Sequence, residues 1–370
     1  MKLNRIATLL TIGVLWTANA SFTPTPSPSD PDADANVRTL FAKLHRLSRL
    51  GTLFGHQDDR AYGVHWKEEE VRSDVFDVCG DFPAVSGWDL GELGKERNLD
   101  GVSFDKMQQW MIDIHRRGGI NTVSWHMVNL ANDSNSWDTT RSVQRILPGG
   151  DLHGKFLSKL DLFAAFANDL QVDGELVPLI FRPWHEHNGN WFWWGAAHCS
   201  VEEYKSLWRF TVEYLRDRKG VHSLLYAYSP NTFQSEAEYL ERYPGDEYID
   251  ILGFDDYANV RDSEERSRKN LARQIQAVVR LAGERGKLPA WTETGLEGLS
   301  NPNWFTSILL NALTASPQAK HLTWVLVWRN ANAQDKSNHF YGPHPQHPSA
   351  ADFRRFYQDP LTLFLRDISE

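Results

Sequence analysis

Residues 177–182, Val-Pro-Leu-Ile-Phe-Arg, form a short apolar run, and the polar pair His185-Glu186 begins three residues after Arg182. A run that is apolar nearly throughout, rather than alternating with polar residues, indicates a strand that is buried on both faces. Such strands are typical of parallel sheets that are covered by helices. The segment therefore predicts an α/β protein in which polar side chains follow a buried strand.

Seven further apolar runs repeat this arrangement. They are residues 52–55, 83–87, 120–125, 224–228, 249–254, 288–292 and 322–328. Segments with a helical spacing of apolar residues lie between several of them, namely Phe104–Arg117, Phe156–Leu170, Val201–Arg218, Ser263–Arg285 and Trp304–Leu313. Eight strands that alternate with helices can form a doubly wound sheet or a closed barrel, and the count of eight favours the barrel.

A polar or aromatic group follows each of the eight runs. In chain order these groups are His56, Trp88-Asp89, His126, His185-Glu186, Pro230-Asn231, Asp255-Asp256-Tyr257, Glu293 and Arg329-Asn330. The carboxyl ends of the strands of a (β/α)8 barrel open on one face, where the active site lies. We therefore predict an α/β protein with a single (β/α)8 TIM barrel, whose active site gathers these side chains.

The amino terminus predicts a secretory signal peptide over residues 1–20. Lys2 and Arg5 precede an apolar run from Ile6 to Trp16, and Ala18-Asn19-Ala20 has the small residues of a cleavage site. This run is too short to span a bilayer comfortably, and no later stretch approaches the roughly 20 apolar residues that a span needs. We therefore expect a secreted or periplasmic protein without a membrane anchor.

The mature chain is expected to be one domain. Residues 21–35 are rich in Pro, Ser and Asp, which predicts a disordered or extended leader. Residues 36–370 contain no second linker, so they predict one catalytic barrel, which we expect to be a monomer. The two cysteines, Cys79 and Cys199, permit one disulfide in an oxidising compartment, and the sequence leaves open whether they meet.

The charge of the chain excludes polyanionic partners. Its 48 acidic residues outnumber its 39 basic residues and give a formal net charge of −9. A surface of this sign repels nucleic acid and anionic lipid, so we expect neither as a partner. The charge suits a neutral ligand.

Four tryptophans surround Glu186 in residues 181–195, Phe-Arg-Pro-Trp-His-Glu-His-Asn-Gly-Asn-Trp-Phe-Trp-Trp-Gly. A pyranose sugar has apolar C–H faces and hydrogen-bonding edges, so flat aromatic rings with polar neighbours suit it. The alternative is that the tryptophans only pack beneath a loop. Because all four occur together with His185 and Glu186, we favour a sugar-binding site that they line.

A second glutamate, Glu293, ends the seventh run within Trp-Thr-Glu-Thr-Gly, residues 291–295. Glycoside hydrolysis needs two carboxyl groups that flank one bond, about 5–5.5 Å apart in retaining enzymes and about 6.5–9.5 Å apart in inverting ones. Carboxyl groups on strands four and seven of a barrel can face each other across its mouth. The alternative for Glu293 alone is a surface or salt-bridged residue, and its pairing with Glu186 makes that reading weaker.

These two segments resemble a known family. Residues 182–195, in the pattern Arg-Pro-x-His-Glu-x-Asn-Gly-x-Trp-Phe-Trp-Trp-Gly, closely resemble the acid/base segment of glycoside hydrolase family 26, the β-mannanase family. Residues 291–295 are similar to its nucleophile segment, and Gly55-His56-Gln57 also matches. The resemblance implies retention of anomeric configuration, a covalent glycosyl-enzyme, and neither metal nor organic cofactor. The implied substrate is β-mannan or a manno-oligosaccharide.

The resemblance also implies roles for single residues. Glu186 matches the acid/base and Glu293 matches the nucleophile. Six further positions match residues that bind the sugar or support the nucleophile: His126, His185, Trp191, Tyr257, Trp328 and Arg329. Among these, His185 resembles a residue that helps to position the nucleophile, and Tyr257 resembles the tyrosine that is hydrogen-bonded to it. For His126, polar packing without a ligand is the alternative.

The mode of attack stays open at this point, because the segment Leu130–Trp137 departs from the family pattern. An open cleft would make the chain an endo-β-1,4-mannanase. If the segment instead closes the cleft, with Asp133 binding a terminal sugar hydroxyl, the enzyme would be an exo-acting mannobiohydrolase that releases mannobiose from the non-reducing end. The two modes predict different early products.

Three other functions remain as alternatives. The same barrel serves enzymes that attack β-1,3-xylan or mixed-linkage β-glucan. A non-catalytic carbohydrate-binding barrel would be expected to lack one of the two glutamates, and both are present. A metal-dependent hydrolase would need a compact ligand pattern such as His-Glu-x-x-His, whereas His185 and His187 lie on opposite sides of an extended chain.

Overall fold

The computed structural model describes residues 26–69 and 71–369, and eight parallel strands in it form a barrel. The strands are β1 (Thr52–Gln57), β2 (Val85–Asp89), β3 (Ile120–Ser124), β4 (Leu179–Arg182), β5 (Leu224–Tyr228), β6 (Ile251–Leu252 and Asp255–Asp256), β7 (Leu288–Pro289 and Trp291–Thr294) and β8 (Trp324–Val327). Each contains or overlaps one of the eight apolar runs. The predicted (β/α)8 barrel is confirmed.

The sheet closes on itself between β1 and β8, where Leu53 lies opposite Trp324. Strands β1 to β5 each pair with the next strand in the chain. The first segment of β6 pairs with β5 on one side and with the first segment of β7 on the other. The second segment of β6 pairs with the second segment of β7, which in turn pairs with β8. The carboxyl ends of all eight strands therefore open on one face.

Helices connect the strands and cover the barrel. They are α1 (Ala35–Leu47), α2 (Asp74–Cys79), α3 (Phe104–Arg116), α4 (Val143–Ile146), α5 (His153–Asp169), α6 (Val201–Glu213), α7 (Glu236–Leu240), α8 (Glu265–Arg285), α9 (Asn311–Thr314), α10 (Ala350–Tyr357) and α11 (Leu365–Ile368). Two π-helices, Tyr214–Arg218 after α6 and Phe305–Leu310 before α9, lie within the predicted helical segments Val201–Arg218 and Trp304–Leu313. Among the described residues, no helix is long and apolar enough to cross a membrane.

Shorter elements complete the fold. Single turns of 3₁₀-helix lie at Asp246–Tyr248, Glu297–Leu299 and Ala319–His321. Two small antiparallel hairpins pair Tyr62–Gly63 with Trp66–Lys67 and Gln171–Val172 with Glu175–Leu176, and Thr362–Leu363 pairs with the start of β1. The first hairpin belongs to the loop that follows β1, at the open face of the barrel.

Local sequence signals explain where the long helices begin and end. Helix α6 begins at a capping box, in which the Ser200 hydroxyl accepts a hydrogen bond from the Glu203 backbone N–H and the Glu203 carboxylate accepts one from the Ser200 backbone N–H. Helix α8 ends at Gly286, whose left-handed conformation (φ 65°) costs glycine little.

One apolar layer fills the interior of the barrel near the amino ends of the strands. Each strand contributes at least one side chain to it, and these include Leu53, Val85, Ile120, Ile180, Leu225, Ile251, Leu288 and Trp324. The buried face of α1, with Val37, Phe41 and Leu44, belongs to the same cluster. Helix α1 therefore closes the end of the barrel that lies opposite the open face.

The described part of the predicted leader packs on the barrel. Asp30 is buried, with one carboxylate oxygen 2.8 Å from His222 Nδ1, and the Ser29 backbone N–H donates to Asp250 Oδ1 over 2.5 Å. The packed domain thus begins several residues before the boundary predicted at residue 36. Composition cannot reveal this, because the contacts join the segment to residues about 200 positions away. The predicted signal peptide, residues 1–20, lies outside the described residues.

The two cysteines are both free thiols. Cys79 is the last residue of α2, and Cys199 lies buried just before α6. The disulfide that the sequence permitted is not formed in this structure.

Candidate active site

A cleft of about 680 Å³ opens at the carboxyl ends of the strands. Its lining consists of His126, Trp137, His185, Glu186, Trp191, Phe192, Tyr257, Arg261, Glu293, Gly295, Leu296, Glu297, Ser300, Trp328 and Tyr341. Seven of the eight site residues predicted from the sequence are in this set. The eighth, Arg329, lines a separate cavity of about 530 Å³, where it pairs with Asp100.

Glu186 has a strained backbone. Its φ is 52°, and that of Trp184 is 51°, a left-handed conformation that costs a residue with a side chain about 1–3 kcal/mol. Hydrogen bonds hold the segment in place: the Glu186 N–H donates to the Ser229 carbonyl over 2.8 Å, and the Tyr204 hydroxyl donates to the Trp184 carbonyl over 2.9 Å. Strain of this kind concentrates at functional sites, where the surrounding structure imposes it.

The Glu186 carboxylate accepts one hydrogen bond at each oxygen. Trp191 Nε1 donates to Oε2 over 2.7 Å, and Asn231 Nδ2 donates to Oε1 over 2.9 Å. Burial and the negative charge of Glu293 raise the pKa of Glu186 to about 7, although these two hydrogen bonds act in the opposite direction. Glu186 can therefore hold a proton near neutral pH, which a general acid requires.

Glu293 ends β7 as an acceptor of two hydrogen bonds. Arg182 donates to Oε1, and the Tyr257 hydroxyl donates to Oε2 over 3.0 Å. Arg182 also donates to Asp255 over 2.9 Å and to Ser229 over 3.1 Å. Burial lowers the pKa of Arg182, but the carboxylates of Asp255 and Glu293 more than offset this effect and raise it. Glu293 therefore faces the positive charge of Arg182.

The two glutamates face each other across the cleft. Carboxylate oxygens of Glu186, Glu293 and Asp255 all lie within 4.8 Å of one another. This separation agrees with the short spacing of a retaining glycosidase and is well below the inverting range of about 6.5–9.5 Å. Three such carboxylates could also hold a cation, but the Arg182 guanidinium already pairs with two of them.

The pKa values of two histidines beside the glutamates are shifted in opposite directions. Asp89 Oδ2 lies 2.6 Å from His126 Nδ1, and Ser124 donates to the same Asp89 oxygen over 2.7 Å. Burial lowers the pKa of His126, but Asp89 outweighs it, so the net shift is upward. Burial and the nearby Arg182 hold the pKa of His185 well below its ordinary value. A neutral His185 thus packs edge-on against His126, with ring centroids 4.7 Å apart.

The four tryptophans around Glu186 divide into two groups, so the expectation that all of them line the site is wrong. Trp191 lines the cleft and is 39% exposed. Trp184, Trp193 and Trp194 are fully buried beneath it. The Trp194 indole N–H donates to the His185 carbonyl over 2.8 Å, so the buried group supports the backbone of the catalytic segment.

A tryptophan that the sequence analysis did not select, Trp137, also lines the cleft. Its ring stacks on His126 with centroids 5.1 Å apart and is 48% exposed. The residue chosen from the same loop, Asp133, is exposed and forms an ion pair of 2.5 Å with Lys155. It is not part of the cleft lining, so the structure does not favour the alternative in which Asp133 binds a terminal sugar.

Arg182 was also missed as a functional residue, and Asp255 was placed at the active-site face without a role. Their sequence signal is a charge placed at the end of an otherwise apolar strand, β4 for Arg182 and β6 for Asp255. Both are buried, and burying either charge alone would be costly, so each implies a partner. The sequence does not reveal that they are partners of each other and of Glu293.

Comparisons with known proteins agree with this geometry. Residues 29–308 match the profile of Glycosyl hydrolase family 26. A mannan endo-1,4-beta-mannosidase of Bifidobacterium adolescentis is 39% identical over 277 residues, which are 70% of this chain and 27% of that protein. One of Bacillus subtilis strain 168 is 31% identical over 196 residues, 49% of this chain and 52% of that protein. The chain thus spans about a quarter and about half of the lengths of these relatives.

Solved structures of the same family are similar over nearly the whole chain. A GH26 beta-mannanase from Bacteroides ovatus, BoMan26A, has 42% identity and a TM-score of 0.85, with coverage of 90% of this chain and 97% of that one. A modular endo-beta-1,4-mannanase from Cellulomonas fimi has 35% identity and a TM-score of 0.86, with coverage of 93% and 78%.

Proposed function

The chain belongs to glycosyl hydrolase family 26, and on that basis we propose that it is a retaining endo-β-1,4-mannanase that acts by double displacement. The observation that carries the proposal is the approach of the Glu186 and Glu293 carboxylates to within 4.8 Å. The proposed substrates are mannan, galactomannan and manno-oligosaccharides.

In the first step, Glu293 attacks the anomeric carbon and forms a glycosyl ester, while Glu186 gives its proton to the departing sugar oxygen. Arg182 and Tyr257 donate to separate oxygens of Glu293, which orients the nucleophile. The raised pKa of Glu186 keeps its proton available near neutral pH. Aromatic rings at the cleft, Trp191 and Trp137, offer flat faces on which sugar rings stack.

In the second step, water attacks the ester from the side on which the leaving group departed, and Glu186 now removes its proton. Two inversions at the same carbon give net retention of configuration. The atoms balance, since one water is consumed and its hydrogen and hydroxyl are divided between the two products. Neither step requires a metal or an organic cofactor.

Endo attack is favoured over release of mannobiose from the chain end. The relatives described above from Bifidobacterium, Bacillus and Cellulomonas are named as endo-acting enzymes. The residue expected to close the cleft in the exo mode, Asp133, pairs with Lys155 instead of lining the cleft. A non-catalytic binding barrel is disfavoured, because both carboxyl groups are present and lie within 4.8 Å of each other.

We also propose that the enzyme is exported and works as a monomer. Residues 1–20 support export by their charged start, apolar run and small-residue cleavage site. The excess of acidic residues supports a neutral polysaccharide as the partner, rather than nucleic acid or an anionic membrane.

Time-resolved products from mannohexaose test the proposed activity. We expect an early mixture of mannobiose, mannotriose and mannotetraose, the β-anomer as the first product in proton NMR, and full activity with a metal chelator. Glu293→Ala should abolish turnover while the protein stays folded, because no other group can form the ester. Mannobiose alone from the first turnovers would contradict endo attack, and an α-anomer or an active Glu293→Ala variant would contradict the retaining mechanism.

A further inference from the structure

Tyr341 lies in the long loop that follows β8, and its side chain reaches the cleft. The loop is anchored at this point by Asn330, whose side-chain oxygen accepts hydrogen bonds from the Tyr341 N–H over 3.0 Å and from the Gly342 N–H over 2.7 Å. Asn330 is itself buried and donates to Asp74 over 2.9 Å. The position of Tyr341 is therefore fixed by the fold.

The end of the nucleophile strand is shaped to accept the Tyr341 ring. Gly295, two residues after Glu293, has a φ of 148°, and a Cβ at this position would lie 2.6 Å from Tyr341 Cδ1. Only glycine leaves this space open. On its other side the ring packs edge-on against Tyr257, with centroids 6.0 Å apart. Tyr341 thus lies directly beside the residues that end β7 and orient the nucleophile.

The Tyr341 hydroxyl has no hydrogen-bonding partner among the described residues, although the neighbouring Tyr257 hydroxyl is committed to Glu293. Burial and the negative charge of Glu297 raise the pKa of Tyr341 to about 12. The phenol therefore remains protonated at neutral pH and can donate as well as accept. An anchored donor that faces a cleft without a protein partner is available to a ligand.

Its location also fits a bound saccharide. Among the aromatic residues of the cleft, Trp328 directly follows β8, and Trp137, Trp191 and Phe192 come from the loops after β3 and β4. Tyr341 comes from the loop after β8 and packs on the end of β7, which lie across an eight-stranded barrel from those loops. A sugar that stacks on one of these rings turns an apolar face to the ring, and its hydroxyl edges point toward the neighbouring walls of the cleft. Arg261 and Ser300 line the cleft there as well.

We propose that Tyr341 is a substrate-binding residue, whose hydroxyl forms a hydrogen bond with a hydroxyl group of the mannan chain beside the nucleophile. This inference rests on the proposed mannanase function. It gives the loop after β8 a direct part in substrate recognition, in addition to the residues at the strand ends and in the two catalytic segments.

Binding to an inactive background tests the proposal without depending on turnover. In Glu186→Gln, the dissociation constant for mannohexaose is measured by calorimetry with Tyr and with Phe at position 341. Phe keeps the ring against Gly295 and Tyr257 and removes only the hydroxyl. Because one neutral hydrogen bond is worth about 0.5–1.5 kcal/mol, we expect the dissociation constant to rise by roughly threefold to tenfold.

Tyr357→Phe in the same background is the matched control. Tyr357 also loses a hydroxyl, but it lies at the end of α10, and its hydroxyl contacts Asp81 near the amino ends of the strands. We expect this variant to bind mannohexaose as tightly as the background. In the otherwise wild-type enzyme, Tyr341→Phe should raise KM with little change in kcat, as loss of a uniform binding contact does.

An unchanged dissociation constant for Tyr341→Phe would overturn the proposal, and so would an equal loss in Tyr357→Phe. A lowered kcat at unchanged binding would also overturn it, since that result would mean that the ring acts only on Tyr257. Failure of the proposed function is distinguishable, because the wild-type enzyme would then leave mannan uncut and the Glu186→Gln background would not bind mannohexaose.

Discussion

Replacing Trp191 with Phe should move the basic limb of the pH–rate profile to higher pH. The Trp191 indole N–H donates to Glu186 over 2.7 Å, and this hydrogen bond lowers the pKa of Glu186. Phe preserves a ring on which a sugar can stack but has no donor. Without the hydrogen bond, burial and the charge of Glu293 act with less opposition, so the pKa of Glu186 should rise above its value of about 7.

The size of the change follows from the exposure of the donor. A hydrogen bond to a charged group contributes about 1.5–3 kcal/mol to stability when it is well buried. Trp191 is 39% exposed, so water can replace part of the lost interaction. We therefore expect about 0.7–1.4 kcal/mol of differential stabilisation, which corresponds to an increase of about 0.5–1 pH unit. The protonated acid is the active form, so activity persists to higher pH.

The measurement is kcat/KM for mannohexaose over a range of pH, because this parameter reports ionisations of the free enzyme. Trp137→Phe is the matched control, since Trp137 lines the same cleft but stacks on His126 rather than bonding to Glu186. Trp137→Phe should change the maximum value of kcat/KM and leave the pH of the basic limb unchanged. The reasoning is refuted if the limb of Trp191→Phe coincides with that of the wild type or moves to lower pH.

Three further predictions concern single groups. Glu186→Ala should lose about 10²–10⁴-fold in the glycosylation rate on sugar leaving groups and much less on acidic aryl ones; equal losses on both would make Glu186 structural. Tyr257→Phe should lower kcat while the unfolding temperature changes little, because its hydroxyl orients Glu293; an unchanged kcat would assign Tyr257 to packing. Burial and the adjacent Asp100 raise the pKa of Asp58 to about 8, so the stability associated with its protonated form is lost as the pH rises through that value. Relative to Asp58→Asn, the wild type should therefore lose up to about 1.4 kcal/mol per pH unit as the pH approaches 8 in denaturant titrations, and parallel curves for the two proteins would contradict the assignment.

The barrel could be predicted because its strands are buried on both faces. Residues 120–125 and 224–228 read as strands from their apolar character alone, and the structure has β3 and β5 there. The spacing of apolar residues likewise located α3 and α6. Contacts between distant residues were not visible, so Asp30 was assigned to an extended leader although His222 holds it against the barrel.

The residues of the candidate site could be predicted where they lie at the carboxyl ends of strands. Glu186 and Glu293 were selected by their positions after the fourth and seventh runs and by the motifs around them. The loop after β3 offered both Asp133 and Trp137, and only the fold distinguishes them, because Trp137 lines the cleft whereas Asp133 pairs with Lys155. Arg182 was visible as a charge at a strand end, but its two carboxylate partners lie 73 and 111 residues further along the chain.

The closeness of the two glutamates has a consequence for the order of proton transfers. The charge of Glu293 is one of the two main causes of the high pKa of Glu186. That charge disappears when Glu293 becomes an ester. The pKa of Glu186 therefore falls just after Glu186 has given its proton to the leaving group. Glu186 is then poised to act as a base toward water. Hydrolysis of the ester restores the charge of Glu293 and returns Glu186 to its protonated form, so the acid strength of one side chain alternates with the covalent state of the other.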